Sequence, residues 1–171
     1  YELNPTAGLF GAWERLWGVQ KELATFFDCR AQDLYLRPNV TYAMNDFLMA
    51  LRLPEGSEIL VSDLEYGAIV KICEHKAHLE NLSLRTVSLY DPRLPRAANS
   101  DAIVHNLKKS LSKKTKLVVL SHIMTGTGLK IPISKIGQML RESGVFFAVD
   151  GAHGAGIEDL ELDENLIDFY G

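Results

Sequence analysis

Three short segments of this chain are apolar at every position: Ile59-Leu60-Val61, Leu117-Val118-Val119-Leu120 and Val145-Phe146-Phe147-Ala148-Val149. A strand with one wet face alternates apolar and polar residues, whereas a strand covered on both faces reads as a continuous apolar run. Around these runs lie stretches with helical spacing. Residues 100–111 carry Ile103, Leu107 and Leu111, and residues 133–141 carry Ile136, Met139 and Leu140. Buried strands separated by helices predict an α/β fold, a three-layer α/β/α arrangement with a mostly parallel central sheet. In such a sheet ligands bind outside the C-terminal edges of the strands, so the residues that follow each strand are the ones to read for chemistry.

The remaining elements follow from the same periodicities. Residues 9–27 place Leu9, Trp13, Leu16, Trp17, Leu23, Ala24 and Phe27 at helical spacing with Glu14, Lys21 and Glu22 between them, which predicts a helix with one buried face. Residues 33–36 read as a short strand stopped by Arg37-Pro38, and Thr41 is placed to cap a second helix bearing Ala43, Phe47, Leu48 and Leu51 on one side. Pro54-Glu55-Gly56 is a turn, and Ile69, Ile72, Cys73 and Leu79 mark a helix after the first apolar run. Residues 84–89 form another strand. It leads into Tyr90-Asp91-Pro92-Arg93-Leu94-Pro95, whose two prolines predict a surface loop. Ser100 and Asp101 open the next helix, and Lys108, Lys109, Lys113, Lys114 and Lys116 gather near its C-terminal end, where cations suit the helix dipole.

With 47% hydrophobic residues in 171, the chain has enough apolar surface to bury a core. Its 18 basic and 22 acidic side chains leave a formal charge of −4, which repels phosphate and argues against a nucleic-acid partner. No apolar run approaches the ~20 residues of a membrane-spanning helix, so no membrane partner is expected. The N-terminus shows neither an initiator Met nor a basic patch followed by an apolar stretch, so no targeting peptide is read and the true start is expected upstream. Cys29 and Cys73 form no metal or redox motif and read as structural thiols of a reducing compartment, which points to the cytoplasm. Asp168-Phe169-Tyr170-Gly171 reads as the beginning of a further strand, and the domain is expected to be incomplete.

Three strands run into polar, glycine-containing segments: Ser62-Asp63-Leu64-Glu65-Tyr66-Gly67, then the stretch from Ser121-His122 to Thr125-Gly126-Thr127-Gly128, then Asp150-Gly151-Ala152-His153-Gly154-Ala155-Gly156. A parallel sheet makes all three converge on one site. A fourth segment, Arg37-Pro38-Asn39-Val40-Thr41, precedes a helix; it serves either as an ordinary cap or as a cradle for phosphate, with backbone N–H groups, a hydroxyl and a positive helix end. Asp150 is either a turn residue or a functional carboxylate, since a carboxylate buried after an apolar strand is costly without a cationic partner. His122 and His153 are open between structural and functional roles. His75 and His78 have no third ligand nearby, so no metal site is expected there. The sequence has no Gly-x-Ser-x-Gly elbow and no Walker loop, and Gly151, Gly154 and Gly156 have the wrong spacing for a dinucleotide fingerprint.

Four of these stretches together, Asn39-Val40-Thr41-Tyr42-Ala43-Met44-Asn45, Asp63-Leu64-Glu65-Tyr66-Gly67-Ala68, Ser121-His122 through Thr127-Gly128, and Asp150-Gly151-Ala152-His153, resemble the class V aminotransferase family. These are pyridoxal-phosphate enzymes of fold type I, cysteine desulfurases and isopenicillin-N-epimerase-like proteins among them. The resemblance runs from Leu3-Asn4-Pro5 to Gly171. It implies that Val40 and Thr41 hold the phosphate of pyridoxal 5'-phosphate, that Tyr66 stacks on its ring, and that Ala152 packs on the other face. It further implies that Thr125 and His153 lie at the phenolic oxygen and that Asp150 pairs with the ring nitrogen, with Asp150, Tyr66 and His153 as the catalytic residues. The chemistry agrees, because an ionised carboxylate keeps the pyridine nitrogen protonated and so strengthens the ring as an electron sink.

The chain departs from the desulfurase pattern at Tyr66, where a histidine is usual, and at Thr125, where an asparagine is usual, which places it nearer the epimerase-like branch. The family's Schiff-base lysine follows the Asp-Phe-Tyr segment in a His-Lys motif, and no lysine of this sequence holds that position. The resemblance therefore implies a partial large, cofactor-binding domain over residues 1–171, with the lysine segment and a small C-terminal domain outside it, and a chain inactive on its own. The complete enzyme is expected to be a homodimer acting on an amino acid or amine through an external aldimine, with transamination, epimerisation, elimination or desulfuration as the outcome. The competing reading is a non-catalytic fragment or degenerate homologue with a binding or structural role.

Overall fold

The structure is a computed structural model and describes residues 5–90, 98–158, 160, 162–163 and 165–171. Five strands form one sheet: β1 (Glu58–Ser62), β2 (Ser83–Val87), β3 (Thr115–Ser121), β4 (Phe146–Asp150) and β5 (Phe169–Tyr170). Their order is β2-β1-β3-β4-β5, and every neighbouring pair is parallel. The three continuous apolar runs are thus the adjacent central strands, in register at Val61–Val119 and Val119–Ala148.

Side chains on the two faces of these strands feed two separate cores. Leu60, Val118, Leu120, Phe147 and Val149 pack with Ile103 and Leu107 of α4 (Ser100–Ser110) and with Ile136, Met139 and Leu140 of α5 (Ile133–Glu142). Ile59, Val61, Leu117, Val119 and Ala148 face the other way, onto Met44 and Leu48 of α2 (Val40–Ala50) and Ile69, Cys73 and Ala77 of α3 (Gly67–Leu79). This is the three-layer α/β/α arrangement. From β1 the chain moves outward to β2 on one side, and from β3 it moves to β4 and β5 on the other. The order reverses between β1 and β3, so the crevice at their C-terminal ends is the switch point where an open sheet of this kind receives a ligand.

Three expectations are corrected. α1 (Pro5–Phe26) forms, but its apolar side is not buried: Leu9, Phe10 and Trp13 are 68–77% exposed, and Leu16 and Trp17 are also open. Helical periodicity gives the face but not a surface to cover it, and among the described residues only Gly8 and Ala24 of this helix are buried. Residues 33–36 are not a strand. Residues 31–33 form a 3-10 turn, and the Gln20 side chain donates to the carbonyls of Ala31 and Leu34, so this backbone finds partners outside the sheet. The cap of α2 is Asn39 rather than Thr41. Asn39 is extended (φ −165°, ψ 169°) and its side-chain oxygen accepts the Tyr42 N–H at 3.0 Å. α4 opens at Ser100 as expected, with Asn99 as its cap accepting from Ala102 N–H at 2.9 Å. Leu79, at the end of α3, points to solvent. Of the proline-containing loop, residues 91–95 lie outside the described residues.

Candidate active site at the switch point

At the C-terminal edge of the sheet a cavity of about 260 Å³ is lined by Val40, Thr41, Tyr66, Ser121, Ile123, Thr125, Asp150, Ala152 and His153. Its size is just below the usual range of small-molecule pockets. All seven residues singled out from the sequence as cofactor-binding or catalytic line it, brought together from four separate stretches of chain.

Each element presents its residue for a local reason. The extended Asn39 cap aims the first turn of α2 at the cavity, and Val40 and Thr41 are that turn's first two residues. Because Asn39 does the capping, the Thr41 hydroxyl is left for the cavity, beside backbone N–H groups that no intrahelical carbonyl reaches. A cap at Asn39 and an anion cradle at Thr41 are therefore compatible with one another rather than exclusive. Tyr66 is the residue from which α3 starts, and its ring is 50% exposed. The Thr125 turn hangs from the buried Met124, whose carbonyl accepts from Thr127 and Gly128 N–H and whose N–H reaches Leu129 O at 2.9 Å. Gly128 closes that turn at φ +68°, where a side chain would be strained.

Asp150 ends β4, opposite Ser121 of β3, and is only 7% exposed. One carboxylate oxygen accepts the Ala152 N–H at 3.1 Å. Burial pushes its pKa up from the ordinary carboxylate value, opposed by that hydrogen bond and by His153. A carboxylate in this state gains from a cation or N–H donor inside the cavity. The turn that follows is folded onto β5: Gly154 N–H reaches Gly151 O at 2.7 Å, and a Cβ at Gly151 would overlap the Tyr170 ring. The turn carrying Ala152 and His153 is thereby pinned to the strand beside it.

Two histidines separate in role. His153 is exposed and lines the cavity, whereas His122 is buried, pairs through Nδ1 with the Tyr170 hydroxyl at 2.9 Å, and is not part of the cavity wall. Burial lowers the pKa of His122, with the charge of Lys130 adding to the effect. Among the described residues, no lysine lines the cavity. Sequence reasoning passed over Glu65, whose carboxylate accepts hydrogen bonds from Ser62 and from both the N–H and the hydroxyl of Ser121. Nothing in the sequence connects Glu65 to Ser121, 56 positions away.

Comparisons with known proteins bear on the family and the fold. The family model described as aminotransferase class-V matches residues 11–171. Isopenicillin N epimerases are 35% identical in Streptomyces clavuligerus and 32% in Amycolatopsis lactamdurans, each over 91% of this chain; the chain spans 38–39% of their length. Among solved structures, the cystine C–S lyase C-DES in complex with its reaction product cysteine persulfide superposes with a TM-score of 0.84 at 26% identity, over 97% of this chain and 43% of that one. A C-DES variant with glycine covalently linked to its PLP cofactor gives 0.85 at 25% identity, with the same coverage. Matched over all but its first ten residues and built on the same sheet, the chain belongs to the aminotransferase class-V family.

Proposed function

We propose that this chain forms the cofactor-binding part of a pyridoxal-phosphate enzyme that acts on an amino acid or amine. The observation that carries the reading is the gathering of Val40, Thr41, Tyr66, Thr125, Asp150, Ala152 and His153 around one cavity at the switch point. The donor set suits the cofactor: a hydroxyl and a helix N-terminus for a phosphate, an aromatic face for a ring, and a buried carboxylate for a ring nitrogen.

When bound, pyridoxal phosphate supplies an electron sink for charge developing at the substrate's α-carbon. Thr41 and the first N–H groups of α2 bind the phosphate and fix the cofactor's depth. Tyr66 covers one face of the ring and keeps water from it, and Ala152, with its small side chain, admits the ring on the other. Asp150 holds a proton at the ring nitrogen. Thr125 and His153 donate hydrogen bonds toward the phenolic oxygen.

The amine that anchors the cofactor's aldehyde is proposed to come from outside residues 1–171, which is supported by the lysine-free cavity wall. Residues 1–171 would then be a partial large domain, inactive without the rest. A homodimer in the cytoplasm belongs to the same proposal, supported by the free thiols of Cys29 and Cys73 and the open apolar side of α1. The curated relatives named above favour the enzyme over a non-catalytic module. Reduction of the cofactor-loaded protein with borohydride, followed by peptide mapping, tests the reading: one stoichiometric phosphopyridoxyl-lysine outside residues 1–171 is expected. Such an adduct at a lysine of this segment, for instance Lys130, would refute the assignment.

A further inference from the structure

We propose that Glu65 is a positioning residue of the cavity: its carboxylate ties the ends of β1 and β3 together across the switch point and so fixes Tyr66 relative to Ser121 and Asp150. The inference rests on the pyridoxal-phosphate reading and assigns a role to a residue that does not line the cavity itself.

The geometry is specific. Glu65 Oε1 accepts from Ser62 Oγ at 2.6 Å, while Oε2 accepts from Ser121 N–H at 2.8 Å and Ser121 Oγ at 2.6 Å. The Ser62 hydroxyl in turn accepts the Leu64 N–H at 3.2 Å, which leaves its own proton to point at Glu65. The β1–β3 ladder ends at Val61 and Val119, so the Ser121 N–H lies past the last strand pair. The carboxylate takes the place of the missing strand. One side chain thereby closes the crevice at the point where the two strands part, with Ser62 on one bank and Ser121 on the other.

Both consequences reach the cavity. Ser121 lines it and sits opposite Asp150 in the β3–β4 register, so holding Ser121 holds the edge on which Asp150 stands. Tyr66 follows Glu65 directly, and among the described residues its ring has no hydrogen bond or ring partner of its own. The placement of that ring therefore depends on the backbone that Glu65 secures. Burial and, to a smaller extent, the charge of Asp150 raise the Glu65 pKa, in keeping with two carboxyl groups that share one neighbourhood.

The test uses the full protein loaded with pyridoxal phosphate and compares Glu65→Ala, Glu65→Gln and Ser62→Ala. Two quantities are read: the dissociation constant of pyridoxal phosphate and the circular dichroism of its visible band per bound cofactor, which reports how rigidly the ring is held. Glu65→Ala is expected to weaken binding roughly tenfold or more and to lose most of the induced signal. Glu65→Gln is expected to keep both, because the amide oxygen still accepts from the Ser121 N–H and hydroxyl while the Ser62 hydroxyl rotates to accept from the amide nitrogen. Ser62→Ala, which removes the β1 anchor and the acceptor of the Leu64 N–H but leaves the bonds to Ser121, is expected to fall between them and decides the matter if Glu65→Ala does not fold. Wild-type values in Glu65→Ala, or in Ser62→Ala where Glu65→Ala does not fold, overturn the inference even if stability drops, as does a Glu65→Gln protein no better than Glu65→Ala. A wild-type protein that binds no pyridoxal phosphate overturns the cofactor reading, and this inference falls with it.

Discussion

At the edge of the sheet opposite the cavity, the start of β1 offers a stability lever that leaves the site untouched. Glu58 accepts two hydrogen bonds from Arg85 of β2, at 2.7 and 2.9 Å, one from Thr115 of β3 at 2.6 Å, and one from Ser112 at 3.2 Å. These donors, Arg85 foremost, outweigh the cost of burial and lower the Glu58 pKa from 4.5 to about 2. The difference corresponds to ~3 kcal/mol. Because the Arg85 side chain is 38% exposed, solvent screening cuts this to about 2 kcal/mol. Glu58→Gln keeps the volume and loses the charge, so it is expected to lower stability by about that amount at pH 7, a melting shift of roughly 4–8 °C for a chain of this size. The folded-state pKa lies below the unfolded one, so the ionised group stabilises fully above about pH 5 and loses its contribution as pH falls from 4.5 toward 2. Urea midpoints of wild type and variant, measured from pH 7 to pH 3, should therefore differ by a constant amount down to about pH 5 and by less than half of it at pH 3. A gap unchanged at pH 3, or already closed at pH 5, would refute the account, and pyridoxal-phosphate binding at pH 7 should be the same in both proteins.

Within the site, Asp150→Ala is expected to fold but to lose most activity and about 1.5–3 kcal/mol of cofactor binding, whereas Thr41→Ala should weaken cofactor retention with a milder effect on turnover; equal effects in a turnover and equilibrium-dialysis comparison would contradict the separate roles. Gly154→Ala places a Cβ against the Tyr170 hydroxyl and the His122 ring and should cost about 1–3 kcal/mol in urea denaturation; a neutral substitution would show that the turn is not pinned. His122, whose pKa is lowered by burial, should titrate below 6.5 by NMR, so its contribution to stability is complete above 6.5 and declines as pH falls through that value toward its folded pKa. A titration at or above 6.5 would mean that the ring is not held in its neutral form.

The central sheet was legible because strands covered on both faces read as short apolar runs: Leu117-Val118-Val119-Leu120 has no polar break, and its length and paired valines favour a strand over a buried helix. Helices α4 and α5 were legible from their spaced apolar residues for the same reason. α1 was legible as a helix and not as an exposed one, since periodicity records a face and is silent on what meets it. Residues 33–36 looked like a strand because Leu34, Tyr35 and Leu36 suit one, but the partners of that backbone come from Gln20, eleven and fourteen residues earlier. The cavity's wall was legible from the rule that ligands sit at strand ends. The bridge made by Glu65 was not, because it depends on a serine 56 positions away that the sequence does not connect to it.

A sheet with only parallel neighbours has a consequence for synthesis. No two strands can pair through a tight hairpin, and the central pair joins Val61 to Val119, 58 positions apart. At a ribosomal rate of about 5–20 residues per second, β3 emerges roughly 3–12 s after β1. During that interval Ile59, Leu60 and Val61 have a partner on the β2 side only. Non-local pairing of this kind folds slowly and leaves apolar edges open to other chains. The cavity needs β4 as well, because Asp150 is its last residue, so its wall forms only after all three central strands have emerged. A slowed or chaperone-assisted passage between residues 62 and 150 is therefore expected to raise the yield of competent protein.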